Sequence, residues 1–164
     1  MNDVIMKCSG LTKEYGALRA LNNIELEFKK GRIIGLLGPN GSGKTTFIKI
    51  LNGLLTPTSG TVTIDGSSVG IKTKSIVSYL PDCVTLPQWM KLREIVDFYE
   101  GFFEDFNRQK ALDMLDSLKL DLGVVFKNLS KGNKEKVQLV LVMSREAKLY
   151  LLDEPMGGVD PATR

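Results

Sequence analysis

The sequence predicts an α/β fold, and three features support that prediction. Residues 38–45 read Gly-Pro-Asn-Gly-Ser-Gly-Lys-Thr, which is the G-x-x-x-x-G-K-[ST] pattern of a phosphate-binding loop. The apolar residues 33–37 precede this loop and predict a buried strand, while residues 46–54 follow it and predict a helix. Residues 149–154 form a second apolar strand, which ends in two carboxylates. A glycine loop between strand and helix, paired with an acidic strand end, is typical of nucleotide-binding α/β proteins.

The glycine loop has the chemistry needed to hold a chain of phosphates. Its glycines give backbone freedom and close approach, and the N-terminus of the following helix favours anions. Lys44 adds a positive charge for the β- and γ-phosphates, and Thr45 offers a hydroxyl to Mg²⁺. A glycine loop that binds nothing is the alternative. The predicted nucleotide-binding residues are Gly38, Pro39, Asn40, Gly41, Ser42, Gly43, Lys44, Thr45 and Thr46.

The acidic strand end supplies the other half of the predicted site. Its position predicts that Asp153 lies beside Mg²⁺ and that Glu154 lies beside the attacking water. Two acids at a strand end also occur for structural reasons alone, and that alternative stays open at this point.

Length and composition indicate one soluble globular domain. The chain has 164 residues, of which 43% are hydrophobic and 25% charged. The net charge of +3 is too small to indicate a nucleic-acid partner, so none is expected. No apolar stretch predicts a membrane span or a signal peptide. Cys8 and Cys83 are far apart and are expected to be reduced, and the lack of histidine excludes histidine-based acid–base chemistry in this chain.

The remaining pattern predicts strands first and helices later. A polar turn carrying Tyr15 is predicted over residues 11–16, and a helical subdomain over about residues 88–146 of a single domain, 1–164. Residues 129–133 open a helix at Ser130, where a cap and a nearby glycine leave N–H groups for an anion. Asn107 is the expected N-cap of the helix predicted over residues 107–118. The predicted strands are 4–8, 24–28, 61–64, 76–80 and 148–152, and the predicted helices of the insert are 92–103, 107–118 and 130–145.

Taken together, these motifs resemble the ATPase subunit of an ABC transporter, and the resemblance covers essentially the whole chain. The phosphate loop, residues 129–133, Asp153-Glu154-Pro155 and residues 157–160 carry it. The compact form is similar to bacterial exporter-type subunits. The resemblance implies a P-loop NTPase core with an antiparallel β subdomain and a helical subdomain insert. It also places Tyr15 where the family stacks an aromatic ring on adenine.

The resemblance implies a dimeric clamp that binds ATP and Mg²⁺. Ser130 and Gly132 of one subunit would close over the γ-phosphate held by the second, homologous or identical, subunit. Glu154 would polarise the attacking water, and Asp160 would communicate across the dimer. Closure would drive transport through separate integral membrane subunits, with the ATPase on the cytoplasmic side at the inner face of the membrane.

Three departures from the family pattern bear on function. Lys131 and Asn133 stand within the signature segment in place of the usual residues, and Lys131 either adds charge near the partner's γ-phosphate or is simply exposed. Asp82 stands where the family has glutamine, so it is a candidate to contact Mg²⁺ indirectly rather than as a direct ligand. The family's γ-phosphate histidine is expected after the acidic strand, and the chain reaches only Arg164, so it resembles a truncated ATPase domain.

Several alternatives remain on sequence grounds. Residues 86–90, with Trp89 and Met90, are either a docking surface for a membrane subunit or part of the core. The chain is an ATPase of a transporter, a non-transport ABC ATPase, or a fragment that binds nucleotide without turnover. A small-molecule kinase would share the phosphate loop, but it would not need the segment at Ser130.

Overall fold

The computed structural model describes residues 3–154 and divides the chain into two compact units, Met1–Val77 and Ser78–Arg164. The first unit contains an antiparallel sheet and a helix that follows the phosphate loop. The second contains a two-stranded sheet and a helical cluster. The boundaries predicted for a helical subdomain, 88–146, stay a prediction, although three helices do lie between Leu92 and Met143.

The sheet of the first unit has four strands in the order β2-β1-β3-β4. Strand β1 lies in the middle and pairs antiparallel with β2 on one side and with β3 on the other. Met6 faces Phe28 across one ladder and Ile64 across the other, and Met6 and Ile64 are fully buried. The strands are β1 Val4–Tyr15, β2 Leu18–Lys29, β3 Ser59–Ile64 and β4 Ser67–Ser68.

The polar turn predicted for residues 11–16 is wrong, because β1 continues through this segment to Tyr15. Leu11 pairs with Ile24 and Thr12 with Ser59, so the backbone here is held from both sides. The chain reverses instead at Gly16, whose φ of 59° is left-handed, before β2 begins at Leu18. Backbone hydrogen bonds to two neighbouring strands keep this segment in a strand, although its polar side chains favour a turn.

The buried strand predicted for residues 33–37 is also absent. The backbone of residues 32–39 belongs to neither helix nor strand, and Ile33 and Leu37 are 105% and 92% exposed. A strand requires a neighbour whose N–H and C=O groups complete its ladder, and neither sheet found within residues 3–154 includes this segment. An apolar run alone therefore did not fix the conformation.

Two short helices complete the first unit. Helix α1 spans Lys44–Leu51 and begins directly after Gly43, slightly earlier than the predicted start at residue 46. Its C-cap is Asn52, and Gly53 follows with a φ of 69°, so the predicted end near Gly53 is confirmed. Helix α2 spans Ile71–Lys74.

The second unit contains a two-stranded sheet and three helices, and the helices pack around one apolar cluster. Strands β5, Val77–Leu80, and β6, Leu149–Leu152, pair with each other, and the division between the units falls at the start of β5. The helices are α3 Leu92–Phe102, α4 Arg108–Ser117 and α5 Lys131–Met143, with a 3-10 turn over Phe126–Asn128. The cluster between them consists of Leu86, Leu92, Ile95, Val96, Ala111, Leu115, Phe126, Val137, Val140 and Leu141.

Side-chain caps fix where two of these helices start. The Asn107 carboxamide oxygen accepts a hydrogen bond from the Lys110 N–H at 3.0 Å, and the Ser130 hydroxyl accepts one from the Asn133 N–H at 3.3 Å. Both caps were predicted from the sequence and are confirmed. Among the helices of residues 3–154, none combines the length and the hydropathy that a membrane span requires.

Candidate functional site

The phosphate loop is shaped around the side chain of Lys44. This residue is the first of α1, and its ammonium group donates to the carbonyl oxygens of Gly38 at 2.8 Å and of Pro39 at 3.0 Å. The Ser42 N–H donates to the Pro39 carbonyl at 3.2 Å, which closes the loop. The positive charge is thus held across the loop, at the positive end of a helix dipole. This arrangement suits a polyphosphate.

Geometry requires glycine at position 43 of the loop, and position 38 is closely packed against the Ser42 side chain. Gly43 is the N-cap of α1 with a φ of 90°, and a Cβ added there would lie 2.4 Å from the Ala20 carbonyl oxygen. A Cβ on Gly38 would lie 2.7 Å from the Ser42 hydroxyl oxygen. Among the described residues, no side chain caps α1, so the N–H groups of its first turn point toward the loop without a side-chain acceptor at the N-cap.

The other predicted nucleotide-binding residues fall on the same loop and helix start. Pro39, Asn40, Gly41 and Ser42 are exposed on the loop, and Thr45 and Thr46 lie half-buried in the first turn of α1.

Tyr15 lies in the same unit, at the end of β1. Its side chain is 45% exposed, so it is not a core residue, and the Lys13 ammonium lies 5.2 Å from the centre of its ring.

The predicted carboxylates at the end of β6 differ sharply in burial. Asp153 is only 2% exposed, and its N–H donates to the Leu80 carbonyl of the neighbouring strand β5 at 2.9 Å. Glu154 is exposed and has a left-handed φ of 48°, so the chain turns away from the strand at this residue. The buried carboxylate is fixed by the sheet, whereas the exposed one is accessible to solvent.

A cavity of about 150 Å³ lies next to these carboxylates in the second unit. The sequence predicted two of its lining residues, Asp82 and Glu154, as site residues. It missed Glu135 and Gln138, which follow Ser130 on α5 by about one and a half and about two turns. The polar lining consists of Asp82, Cys83, Lys131, Glu135, Gln138 and Glu154. The cavity is therefore lined mainly by charged and hydrogen-bonding groups.

Tyr79, on strand β5, is a polar residue near the carboxylates of Asp153 and Asp82. The sequence analysis did not predict it as a site residue. Burial, together with the negative charges of Asp153 and Asp82, raises the pKa of its phenol to about 12. Within residues 3–154, no group accepts or donates a hydrogen bond at the Tyr79 hydroxyl, which is itself buried. The phenol therefore stays neutral in the folded protein at physiological pH.

This raised pKa predicts an alkaline loss of stability that depends on Tyr79. The unfolded chain loses the phenolic proton near its ordinary pKa of 10.0, whereas the folded protein retains it to about 12. Stability is therefore fully present below pH 10 and falls as the pH rises toward 12. Tyr79→Phe is expected to flatten this part of the curve of unfolding free energy against pH. Denaturant titrations from pH 8 to 12 test it, and parallel curves for both proteins would contradict it.

The Ser130 segment is exposed at the start of α5. Ser130 caps the helix, and among the described residues no atom lies within 4 Å of the position that a Cβ on Gly132 would take. The side chain of Lys131 is 79% exposed and lies 4.0 Å from the Glu135 carboxylate, which agrees with the simpler of its two predicted roles. The surface around Gly132 is open to a second molecule.

The segment at residues 86–90 is divided between core and surface. Leu86 is buried and Met90 packs against the apolar cluster, whereas Trp89 is 74% exposed. The alternative that Trp89 packs in the core is therefore wrong for the residues described. Asp160, predicted to act across a dimer, lies outside the described residues, as do Pro155 and residues 157–159.

Comparison with known proteins settles which family has this combination of loop, acidic strand and exposed helix start. The family model described as "ABC transporter" matches residues 21–157, which is most of the chain. The chain belongs to the ABC transporter family. The expected resemblance to ATP-binding subunits is confirmed by this match and the expected P-loop NTPase fold by similar solved structures, and membership of the ABC transporter family implies nucleotide binding.

Individual ABC proteins agree with this assignment. An uncharacterised ABC transporter ATP-binding protein of Bacillus subtilis, YcbN, is 32% identical over 96% of the chain and 53% of its own length. The bacitracin transport ATP-binding protein BcrA of Enterococcus faecalis is 31% identical over 97% of the chain and 53% of its own. A dimeric bacterial ABC transporter cassette superposes with a TM-score of 0.82 at 25% identity, over 95% of the chain and 76% of its own. The chain spans about half the length of most curated ABC relatives that it matches best.

The side chains predicted to bind a metal all carry oxygen donors, namely the hydroxyl of Thr45 in the first unit and the carboxylates of Asp82 and Asp153 in the second. Oxygen donors are the ligands that Mg²⁺ prefers. In the part of the chain that the structure describes, no cluster of three or more cysteine or acidic side chains forms a metal cage.

Proposed function

We propose that this chain is the ATP-binding and ATP-hydrolysing part of an ABC transporter subunit, which drives transport through separate integral membrane subunits. The observation that carries the proposal is the phosphate loop, in which the Lys44 ammonium is held over the carbonyls of Gly38 and Pro39 at the start of α1. Such a preorganised cation at a helix N-terminus matches the β- and γ-phosphates of ATP.

One proposed metal ligand comes from the phosphate loop and another from the acidic strand end. The Thr45 hydroxyl and the Asp153 carboxylate would hold Mg²⁺ together with the phosphate oxygens, and Asp82 would act through a water molecule. When bound, Mg²⁺ neutralises the negative charge that develops on the phosphates. Burial of Asp153 to 2% exposure supports its role, because a fixed carboxylate loses little freedom on binding a cation.

Glu154 is the proposed catalytic residue. It directly follows the buried Asp153 and stays exposed at the cavity that Asp82 also lines. A carboxylate in this position can accept a hydrogen bond from the attacking water and orient it toward the γ-phosphate. The chain has no histidine to perform this step.

Ser130 and Gly132 would act on ATP held by a second ATPase subunit, identical or homologous to this one. The exposure of Ser130 supports this, and a side-chain carbon added at the half-buried Gly132 would meet no atom within 4 Å apart from its own helix backbone. The similar ABC cassette described as dimeric supports it as well. Asp160 stays a proposed dimer contact on the resemblance alone.

Two exposed aromatic features support contact with further partners. The Tyr15 ring is a proposed platform for adenine. Trp89 is exposed in the loop before α3, and Phe98 and Phe102 on α3 are exposed and stack with ring centres 5.9 Å apart. Exposed aromatic groups mark interaction sites, so we assign these rings to contact with the membrane subunit. Such docking would place the chain at the inner face of the membrane.

A comparison of Glu154→Gln with the unchanged chain tests the proposed turnover. The substitution keeps the size of the side chain but removes its charge, so phosphate release from MgATP is expected to fall by about 10²- to 10⁴-fold. Binding of MgATP should persist, because the phosphate loop is intact. Glu104→Gln, an exposed residue between α3 and α4, is the matched control and should retain the full rate.

The outcome separates turnover from binding alone. An unchanged chain that binds MgATP but releases phosphate no faster than Glu154→Gln would contradict hydrolysis by this chain. That result would establish the alternative that it binds nucleotide without turnover.

A further inference from the structure

Tyr79 carries a buried hydroxyl one residue before the end of strand β5. The residue as a whole is half-buried, but its hydroxyl oxygen is shielded from solvent, and none of residues 3–154 forms a hydrogen bond with it. A buried hydroxyl without a partner destabilises a fold, and phenylalanine would fill the same space without that cost. The tyrosine therefore indicates a hydrogen-bond partner other than the described residues.

The neighbours of this hydroxyl are the two carboxylates that we assign to the metal. The Asp153 N–H donates to the carbonyl oxygen of Leu80, the residue next to Tyr79, at 2.9 Å, and Asp82 follows Leu80 by two positions. After burial, the charges of Asp153 and Asp82 are the next causes of the raised pKa of the phenol. The phenol is thus neutral and close to both acids, and a neutral phenol can accept a hydrogen bond as well as donate one.

A magnesium ion bound by these carboxylates would bring the missing partner with it. Mg²⁺ keeps several water molecules when one or two carboxylates and phosphate oxygens bind it. The O–H groups of these waters need acceptors, and a phenol oxygen beside Asp153 is one. A buried water that binds without metal would also satisfy the hydroxyl, but it would be present in the metal-free protein as well, so the two partners can be distinguished by experiment.

We propose that Tyr79 is a positioning residue of the metal site, whose hydroxyl accepts a hydrogen bond from a water molecule on the Mg²⁺ that Asp153 holds. Groups that act on a metal through its direct ligands orient those ligands, and their loss typically weakens metal binding by about 10- to 100-fold. This inference rests on the proposed function and adds to it a residue that belongs to neither the phosphate loop nor the acidic strand end.

A titration with Mg²⁺ at a fixed, subsaturating concentration of a fluorescent ATP analogue tests the proposal. In Tyr79→Phe, the Mg²⁺ concentration that gives half of the binding response should rise about tenfold. The affinity for the analogue in EDTA should stay within about twofold, because Lys44 and its loop are unchanged. Tyr99→Phe removes a hydroxyl from α3, where Tyr99 packs against the apolar cluster, and this matched control should behave like the unchanged chain in both measurements.

Urea unfolding in EDTA at pH 7 separates a metal contact from a structural one. If the hydroxyl has no partner in the metal-free protein, Tyr79→Phe should unfold at the same urea concentration as the unchanged chain or at a higher one. A lower midpoint would show that the hydroxyl already has a partner without metal and would overturn the inference.

The Mg²⁺ titration also separates this inference from the proposed function. Equal titrations for Tyr79→Phe and the unchanged chain would overturn the inference alone. If Mg²⁺ had no effect on binding of the analogue to the unchanged chain, the proposed metal site would be wrong, and the inference with it.

Discussion

Replacing Lys44 by alanine is expected to weaken binding of MgATP by at least about a hundredfold, because a charge-assisted contact to the phosphates is lost. The ammonium group is already held at the loop by the carbonyls of Gly38 and Pro39. It therefore needs little reorganisation to meet a phosphate. Titration with a fluorescent ATP analogue measures the change directly.

The control for this variant lies on the same helix. Lys49→Ala removes an identical charge from the last turn of α1, away from the loop, and should leave affinity within about twofold. The Lys44 contacts with the loop are exposed, so the unfolding free energy should change little. Tight binding of MgATP by Lys44→Ala would contradict the assignment of the phosphate loop.

Replacing Arg145 by alanine is expected to destabilise the second unit by about 3 kcal/mol or more. Arg145 is 4% exposed, and its guanidinium donates to both carboxylate oxygens of Asp105, at 2.9 and 3.0 Å. It also lies 4.1 Å from the centre of the Phe103 ring. Removal would leave the partly buried Asp105 charge uncompensated and would open space against the ring.

This pair joins two connections of the second unit, the one between α3 and α4 and the one between α5 and β6. Main-chain bonds run beside it, from the Glu146 N–H to the Asp105 carbonyl and from the Asn107 N–H to the Ser144 carbonyl, both at 2.8 Å. Urea unfolding of Arg145→Ala measures the loss. Adding Asp105→Ala to it should recover part of the stability, because the uncompensated charge is then gone.

Arg108 provides the matched control for Arg145. It also contacts two carboxylates, Asp97 at 2.6 Å and Glu100 at 3.2 Å, but its side chain is 34% exposed and solvent screens the pairs. Arg108→Ala should therefore destabilise the protein much less than Arg145→Ala. If both variants lost the same free energy of unfolding, burial of the Arg145–Asp105 pair would not determine its contribution to stability.

The features that the sequence predicted well are those encoded locally. The phosphate loop and the start of α1 follow from glycine and lysine spacing, and the caps at Asn107 and Ser130 follow from side chains that bond to N–H groups three residues on. The strand that ends at Asp153 was equally clear, because an apolar run stops at a charge.

The predictions that failed concern segments whose structure depends on contacts with residues distant in sequence. Residues 11–16 are polar but form a strand because β2 and β3 bond to them, and residues 33–37 are apolar but are not in a strand. Gln138 is a polar side chain at a position of α5 whose neighbours in sequence are apolar and buried, and Arg145 is buried two residues after the end of that helix. Their partners, the 83–85 backbone and Asp105, lie about 40 to 55 residues away and could not be read from spacing.

The central claim, that this chain has a preformed ATP site, is tested most directly by thermal melting with and without MgATP. Ligand that binds only the folded protein stabilises it by about 2.7 kcal/mol at a hundredfold excess over Kd. The account predicts a cooperative transition that MgATP raises in the unchanged chain and leaves unmoved in Lys44→Ala. A melting temperature that MgATP does not change in the unchanged chain, or that it raises equally in both proteins, would contradict the account.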